Sequence, residues 1–292
     1  MSERNALNPE DIEDGSPMDP SPSSSSSSSS RGGAFPKTRA ALKETSAKVL
    51  GDNGWKTGLI LLTNFTAIVF LAYITISMRG GFISGDIGVA SAMGAAFALV
   101  YFGFGYFFEP IQVDPFHTII QMTLFDEPVG RGILRILIQF AGWIVGALMA
   151  HIQIGYDRYE SAAVIPSGNF TTFQSWMIEA MLGVVVYILY MGFSAVAKKR
   201  EISLPIASLF VGITVYASQG LAYPISGGSL NVFHWLCTNI IGSLRNSNLY
   251  WPGDCYIYIL APLFSAVVAA FIFILYKHMH TMAMNPAAYK QL

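Results

Sequence analysis

Charged residues and cysteines are scarce in this sequence. Of its 292 residues only 12 % are charged, which is about half the share in a typical soluble domain. The net charge of −1 provides no basic surface for nucleic acid. Two cysteines, Cys237 and Cys255, are too few for a disulfide framework or a zinc site. These shortages exclude a secreted mini-protein, a nucleic-acid binder and an ordinary cytosolic enzyme.

What the chain has instead is long apolar stretches. Hydrophobic residues make up 53 % of the sequence, and the mean hydropathy is +0.47. A helix needs about 20 apolar residues to cross the hydrocarbon of a bilayer. We therefore expect an all-α membrane protein, with transmembrane spans at 57–77, 88–108, 133–152, 177–197, 204–223 and 256–276.

The two ends of the chain differ from this apolar domain. Residues 1–55 combine acidic residues with the unbroken run Ser23–Ser30. Such a composition cannot bury enough apolar surface to fold, so we expect a disordered cytoplasmic tail. We assign 56–280 to the membrane domain, with one half at 57–152 and the other at 177–276. Residues 281–292 are expected to form a second cytoplasmic tail.

Lysine and arginine predict the orientation of the spans, because cytoplasmic loops carry the excess of these residues. With both termini cytoplasmic, the basic residues divide into an inner set of Arg131, Arg135, Lys198–Arg200, Lys277 and Lys290 and an outer set of Arg79, Arg158 and Arg245. This orientation places Asn169 outside, in a usable glycosylation sequon. The sequon indicates passage through the endoplasmic reticulum of a eukaryote. Plasma membrane and internal membranes fit the sequence equally.

One carboxylate and two short segments indicate an internal repeat. Glu179 is the only acidic residue in the six spans, so it should face the bundle interior and have a partner. Segments 109–125 and 226–244 are apolar but too short to span. Asn64 precedes Asp114 by 50 residues, and Glu179 precedes Asn231 by 52. Because each half has three spans, the halves are inverted, and paired broken segments then point to a site at the midplane.

These residues resemble the aquaporin (major intrinsic protein) family over nearly all of 57–280. The run Gly212–Asn231 resembles the approach to the family's second Asn-Pro-Ala box, and Asp114–Ile119 lies where the first box is expected. Gln139 and Ala261–Pro262 resemble positions in the third and sixth helices. Asn285–Ala287, an Asn-Pro-Ala beyond the last span, is given no role.

The resemblance implies the architecture and the activity together. It implies six transmembrane helices plus two re-entrant half-helices in an inverted 3+3 repeat. It also implies a homotetramer with a pore in each subunit, no cofactor, and passage of water or small neutral solutes across a lipid bilayer. In this family the half-helices meet at their positive N-terminal ends, where the box asparagines cap them and donate to the solute.

Both boxes depart from the family pattern. The first box is formed by Asp114, Pro115 and Phe116, and the second by Asn231, Val232 and Phe233. An ionised Asp114 offers no N–H to a solute and offsets the positive helix ends; the alternative is an ordinary N-cap whose charge the half-helix absorbs. Val232 in place of proline costs preorganisation. The two phenylalanines either separate the half-helices, narrow the lumen, or pack against neighbouring helices.

The selectivity filter can be carried over from the family by spacing. This assigns Met93, Gln219, Gly228 and His234, with His234 in the position of the family's arginine. A filter without that arginine should be wider, which argues against strict water selectivity. His117 and His234 follow their capping residues at the same distance. They are either pH-sensitive groups, together with Asp114, or neutral histidines bonded to loop carbonyls.

Three functions follow from these features. The first is a passive channel for water or small neutral solutes. The second is a closed scaffold or adhesion protein that keeps the fold without a pore. The third is a pH-dependent ion-conducting pore. We expect no enzyme and no metal site, because the sequence has no nucleophile–base pair, phosphate loop or metal-ligand spacing.

Overall fold

The structure is a computed structural model that describes residues 54–82, 85–105, 111–199, 203–244, 253 and 256–284. The Ser23–Ser30 run and Asn285–Ala287 lie outside these residues. The expectations for the N-terminal tail up to residue 53 and for residues 285–292 of the C-terminal tail therefore also fall outside them. Within the described residues every regular element is helical, which confirms the all-α prediction.

Six apolar helices are long enough to cross a membrane. They are α1 (Gly54–Ser77), α2 (Asp86–Gly105), α4 (Val129–Ile154), α6 (Thr172–Lys199), α7 (Leu204–Ser226) and α9 (Ile257–Met284). Three shorter helices complete the described chain, namely α3 (Pro115–Thr123), α5 (Tyr156–Ser161) and α8 (Val232–Gly242). The six predicted spans are confirmed in number and order. The short helix α5 had no counterpart in the prediction.

The helix ends extend beyond the apolar runs that predicted them. Helix α6 begins at Thr172, well before the predicted start at 177. Its first turn is stabilised by a reciprocal cap, in which Thr171 Oγ1 accepts from the N–H of Gln174 at 3.2 Å and Gln174 Oε1 accepts from the N–H of Thr171 at 2.8 Å. Hydropathy does not register such a polar turn. Helix α9 similarly continues to Met284, past the boundary at 280.

The two halves pack in the same way. Helix α1 packs on α4, α6 packs on α9, and α2 crosses α7 between the halves. Two glycines allow that crossing. A Cβ on Gly94 would lie 2.7 Å from the carbonyl oxygen of Gly212, and one on Gly212 would lie 2.6 Å from that of Gly94. Such close backbone approach is typical of helix packing in lipid. The half-helices α3 and α8 both pack on α4 and α9, as an inverted repeat requires.

Helix α1 ends in a wide turn of π-helical type, Met78–Phe82. Gly81 there has a φ of 106°, a conformation that glycine adopts at little cost. The turn packs against the start of α5, since a Cβ on Gly80 would lie 3.1 Å from the carbonyl oxygen of Arg158. It directs Arg79 into the protein, where the residue is only 4 % exposed. The sequence had counted Arg79 among the charges of the outer side, and the structure adds that this side chain is buried.

Candidate functional site

The first half-helix, α3, is capped by a carboxylate. Oδ1 of Asp114 accepts hydrogen bonds from the backbone N–H of Phe116 at 2.8 Å and of His117 at 3.2 Å. These bonds satisfy donors that a helix N-terminus otherwise leaves unpaired. Pro115 occupies the first turn, where its missing N–H costs nothing. The Tyr187 hydroxyl donates to the same Oδ1 at 3.0 Å. Asp114 Oδ1 is therefore held by three hydrogen bonds.

Neutral side chains hold the extended segment that leads into α3. Asn64 Oδ1, on α1, accepts from the N–H of Gln112 at 3.2 Å. Gln139 Nε2, on α4, donates to the carbonyl of Gln112 at 2.9 Å and to Thr118 Oγ1 at 2.8 Å. The Thr118 hydroxyl donates to Gln112 Oε1 at 2.8 Å. We call Asn64, Gln112, Thr118 and Gln139 the amide bracket. It carries no formal charge.

The second half-helix, α8, is capped by an amide. Asn231 Oδ1 accepts from the backbone N–H of Phe233 at 2.9 Å and of His234 at 3.4 Å. Val232 takes the first helical position, so the cap operates without a proline. The Asn231 amide also donates to the carbonyl of Val113 at 2.9 Å. That bond joins the second box directly to the residue before Asp114.

A carboxylate holds the segment that leads into α8. Glu179, on α6, is 1 % exposed. Its Oε1 accepts from the Ser226 hydroxyl at 2.6 Å and from the N–H of Ser229 at 2.8 Å. Its Oε2 accepts from the N–H of Leu230 at 2.8 Å. Hydrogen bonds to a charged acceptor are stronger than neutral ones. Glu179 therefore fixes the backbone on the approach to Asn231.

The two capped ends meet at Val113. Its carbonyl oxygen accepts from Asn231 Nδ2 at 2.9 Å and from the Trp143 indole N–H at 3.2 Å. No matching bond runs from Asp114 to the second segment within the described residues. The meeting point is therefore asymmetric, with one amide and one carboxylate.

The two box phenylalanines pack against neighbouring helices. Phe116 lies against an apolar cluster that includes Ile120 and Met191. Phe233 lies against α4, with its ring centroid 5.5 Å from that of Phe140. These contacts are those expected if both rings pack against neighbouring helices, one of the three arrangements left open by the sequence.

The four filter positions assigned by spacing are all buried. Met93 is buried in the main apolar core. His234 stacks on Trp143, with ring centroids 5.2 Å apart, and its Nδ1 lies 3.4 Å from the carbonyl of Ser229. Gln219 and Gly228 do adjoin, because a Cβ on Gly228 would lie 2.5 Å from Gln219 Oε1. Gly228 also has a φ of 61°, which disfavours any other residue.

A guanidinium occupies this region without coming from either box. Arg79 Nη1 lies 3.4 Å from the carbonyl oxygen of Gly228, and Nε lies 3.4 Å from that of Ala162. Its guanidinium carbon lies 4.6 Å from the centre of the Tyr223 ring, which is within the range of a cation–π contact. The sequence predicted a filter in which His234 takes the position of the family's arginine. The structure places a guanidinium from the end of α1 against Gly228 of that predicted filter.

The structure also places His117, Asn169 and the side chains that could bind a metal. His117 Nε2 lies 3.1 Å from Gln121 Nε2, and its ring is 5.9 Å from that of Tyr190. Asn169 is exposed in the loop between α5 and α6. Across the part of the chain that the structure describes, no group of three or more His, Cys, Asp or Glu side chains is placed to hold a metal.

Comparison with known proteins identifies the family. The model of the family described as "Major intrinsic protein" matches residues 57–273. This chain belongs to the major intrinsic protein family. Members of that family are channels of the lipid bilayer that pass small solutes, and they are not enzymes. The chain is accordingly an integral multi-pass membrane protein.

Two similar proteins bear on the major intrinsic protein assignment. "Probable aquaporin TIP5-1" of Arabidopsis thaliana is 29 % identical over 108 residues, which cover 37 % of this chain and 38 % of that protein. The aquaglyceroporin from Plasmodium falciparum has a TM-score of 0.62 at 11 % identity, over 73 % of this chain and 92 % of that structure. At this identity the structural likeness shows the fold alone. It confirms the inverted arrangement of six spans and two half-helices.

Sequence reasoning missed two residues of this site in a major intrinsic protein. Arg79 was counted only among the charges of the outer side, although the pair Gly80–Gly81 directly after it signals a sharp turn. Tyr187 was not considered, since one tyrosine in an apolar span carries no distinctive pattern. Its position two turns after Glu179, on the inward face of α6, was the available signal.

Proposed function

We propose that this protein passively conducts water, small neutral solutes or both, along a lumen that passes Asp114 and Asn231. The observation that carries the proposal is the bond of 2.9 Å from Asn231 Nδ2 to the carbonyl of Val113. It supports a meeting of two helix N-termini beside a shared path. The positive ends of the half-helices oppose the entry of cations. The names of the similar proteins, an aquaporin and an aquaglyceroporin, support the same class of solute.

The packing of the phenylalanines favours an open path over a closed scaffold. Phe116 and Phe233 each contact apolar side chains of neighbouring helices. Neither ring therefore has to occupy the space between the half-helices. A dewetted constriction would need those rings to project into the lumen.

Stopped-flow shrinkage of proteoliposomes tests this proposal. Vesicles that hold the purified protein are exposed to an impermeant osmolyte beside protein-free vesicles of the same lipid. We expect the protein to accelerate shrinkage clearly. Phe116→Ala and Phe233→Ala should leave the rate close to that of the wild type. Shrinkage at the lipid rate in the wild type, with a gain in either variant, would instead identify the phenylalanines as a block.

We further propose that both termini are cytoplasmic and that Asn169 is glycosylated in the cell. The distribution of lysine and arginine and the exposure of Asn169 support this orientation. Expression in a eukaryotic membrane should give a mass shift that an endoglycosidase removes. Asn169→Gln should abolish the shift. A shift that persists in this variant would contradict the assignment of the site.

The family implies a homotetramer, and we propose that state for this chain. The open groove between α2 and α7, lined by small exposed residues such as Ser91 and Ala95, supports contact with a neighbouring helix in lipid. Native mass spectrometry in detergent should give four times the chain mass of 31.8 kDa. A monomer under conditions that preserve known tetramers would contradict it.

A further inference from the structure

We propose that Arg79 is the specificity-determining cation of the pore, and that with Gln219 and Gly228 it selects small neutral solutes that both donate and accept hydrogen bonds. The proposal rests on the proposed function of a neutral-solute channel. It replaces the filter drawn from spacing, in which His234 took the position of an arginine. The residue now assigned comes from the end of α1, outside both boxes.

Arg79 is held by two backbone carbonyls and an aromatic ring. Its hydrogen-bond acceptors are the backbone carbonyls of Gly228 and Ala162, each at 3.4 Å. The Tyr223 ring covers one side at 4.6 Å. Within the described residues no carboxylate oxygen lies within 4.0 Å of the guanidinium nitrogens. The guanidinium, whose side chain is 4 % exposed, therefore makes no direct ion pair there, and the carboxylate of Glu179 acts on it from a longer distance.

Burial of a cation inside a membrane protein costs free energy. Charged side chains inside membrane proteins are rare and mark solute pathways. The wide turn Met78–Phe82 and the φ of 106° at Gly81 are what bring Arg79 inward. Helical turns of the π type occur frequently at functional sites. The local backbone of α1 is thus shaped around this one side chain.

His234 cannot provide the charge in its place. It is 1 % exposed and stacked on Trp143 at 5.2 Å. Its Nδ1 faces the carbonyl of Ser229 at 3.4 Å. The ring is therefore engaged with α4 and with the re-entrant backbone. This leaves the fixed positive charge of the second segment to Arg79.

Gln219 supplies the complementary acceptor. Its Oε1 would lie 2.5 Å from a Cβ on Gly228, so it adjoins the same glycine whose carbonyl accepts from Arg79. This buried Oε1 has no hydrogen-bond partner within the described residues. Likewise, Arg79 bonds through Nε and Nη1, and Nη2 has no hydrogen-bond partner there. A guanidinium donor and an amide acceptor around one glycine suit a small neutral hydroxyl or amide solute, or water.

Removal of the Arg79 charge tests the proposal directly. Arg79→Gln and Arg79→Lys are compared with Arg158→Gln, which removes an exposed arginine of the following outer helix. Potassium leak and water shrinkage are measured in the same proteoliposomes. We expect Arg79→Gln to raise potassium leak by about tenfold or more, because the electrostatic barrier to cations falls. Arg79→Lys and Arg158→Gln should stay near the wild-type leak.

Folding and placement need their own controls. Each variant is checked for a single oligomeric peak and for its melting temperature, and Arg79→Lys keeps the charge if the glutamine variant is unstable. An Arg79→Gln protein that is folded, with leak equal to the wild type, would overturn the proposal. Leak that rises equally in Arg158→Gln would overturn it as well.

A labelling measurement separates this inference from the proposed function. The thiol of an Arg79→Cys variant should react with a water-soluble, positively charged methanethiosulfonate beyond the background set by Cys237 and Cys255 in the wild type. Absence of that labelling would overturn the position of Arg79 at the lumen. If the wild type conducts no water while labelling occurs, the proposed function fails and the placement of Arg79 stands.

Discussion

Each re-entrant segment has a side chain that caps its half-helix and side chains that hold the backbone before it, but the carboxylate takes a different role in each. In the first, the carboxylate of Asp114 caps α3, and the neutral amide bracket holds the backbone that leads to it. In the second, the neutral amide of Asn231 caps α8, and the carboxylate of Glu179 holds the backbone. Cap and support have exchanged carboxylate and amide between the two halves.

The exchange determines what each segment can offer a solute. A carboxylate at the cap accepts hydrogen bonds only, whereas an asparagine keeps an N–H to donate. In the second segment the carboxylate belongs to Glu179, which holds the backbone. The cap at Val113 is therefore the amide of Asn231, and the guanidinium of Arg79 lies at Gly228 of the same segment. The first segment presents a carboxylate. The comparison therefore assigns rejection of cations to the second segment.

The largest expected difference lies in the two supports. Glu179→Gln leaves one of three close donors facing an NH₂ group, so we expect a loss of about 3 kcal/mol in the free energy of unfolding. Asn64→Leu removes one neutral bond at similar volume and should cost about 1 kcal/mol. Thermal unfolding in detergent measures both. Equal losses would show that the position of the charge does not distinguish the segments.

Alanine substitutions at Gly228 and Gly220 should have opposite effects on stability. Gly228 has a φ of 61°, and a Cβ at this position would lie 2.5 Å from Gln219 Oε1. Gly228→Ala should therefore lower the free energy of unfolding by about 2 kcal/mol or more. Gly220→Ala in α7 would place its Cβ 3.9 Å from Ala90 and should stabilise by up to about 1 kcal/mol. Melting temperatures should move in opposite directions. A Gly228→Ala protein as stable as the wild type would refute this geometry.

The caps should respond unequally to exchange. Asp114→Asn keeps the Oδ1 acceptor for Phe116 and His117, so its cost should stay below about 1 kcal/mol. Asn231→Asp loses the donation to Val113 and adds a second buried carboxylate, so we expect about 2 kcal/mol. Chemical or thermal unfolding of the two variants in parallel measures both losses of stability. A reversed order would contradict the roles assigned to the caps.

The smallest effect should come from an ion pair outside both segments. Lys277 Nζ lies 2.9 Å from Asp126 Oδ2, and both side chains are substantially exposed. Exposed pairs contribute less than about 1 kcal/mol and are screened by salt. Lys277→Ala should therefore change the melting temperature little, and least at high salt. A loss comparable to that of Glu179→Gln would show that stability measurements do not resolve the re-entrant segments from the surface.

The sequence predicted the parts of this molecule that depend on patterns along the chain. The six spans follow from hydropathy, and the boxes at Asp114 and Asn231 follow from residue types at matched spacing. Helix α6 begins earlier than predicted because its first turn depends on the polar cap between Thr171 and Gln174. Such a cap contributes nothing to an apolar run.

The filter region could not be predicted in the same way. Its charge comes from Arg79, whose position depends on a local change of helix type and on packing of Gly80 against α4 and α5. Spacing from Asn231 leads to His234, which instead packs on Trp143. Residue counting transfers a site only where the backbone elements that carry it are the same. Here the guanidinium comes from a different element.

The ratio of water to potassium permeability distinguishes a neutral-solute channel from an ion-conducting pore. Proteoliposomes that hold the wild-type protein are measured for osmotic shrinkage and, under a potassium gradient, for a membrane potential. We expect shrinkage well above that of protein-free vesicles, with no potential that follows the potassium gradient. A potential that tracks the gradient would contradict a neutral-solute channel with a fixed cation at Arg79, and would favour an ion-conducting pore.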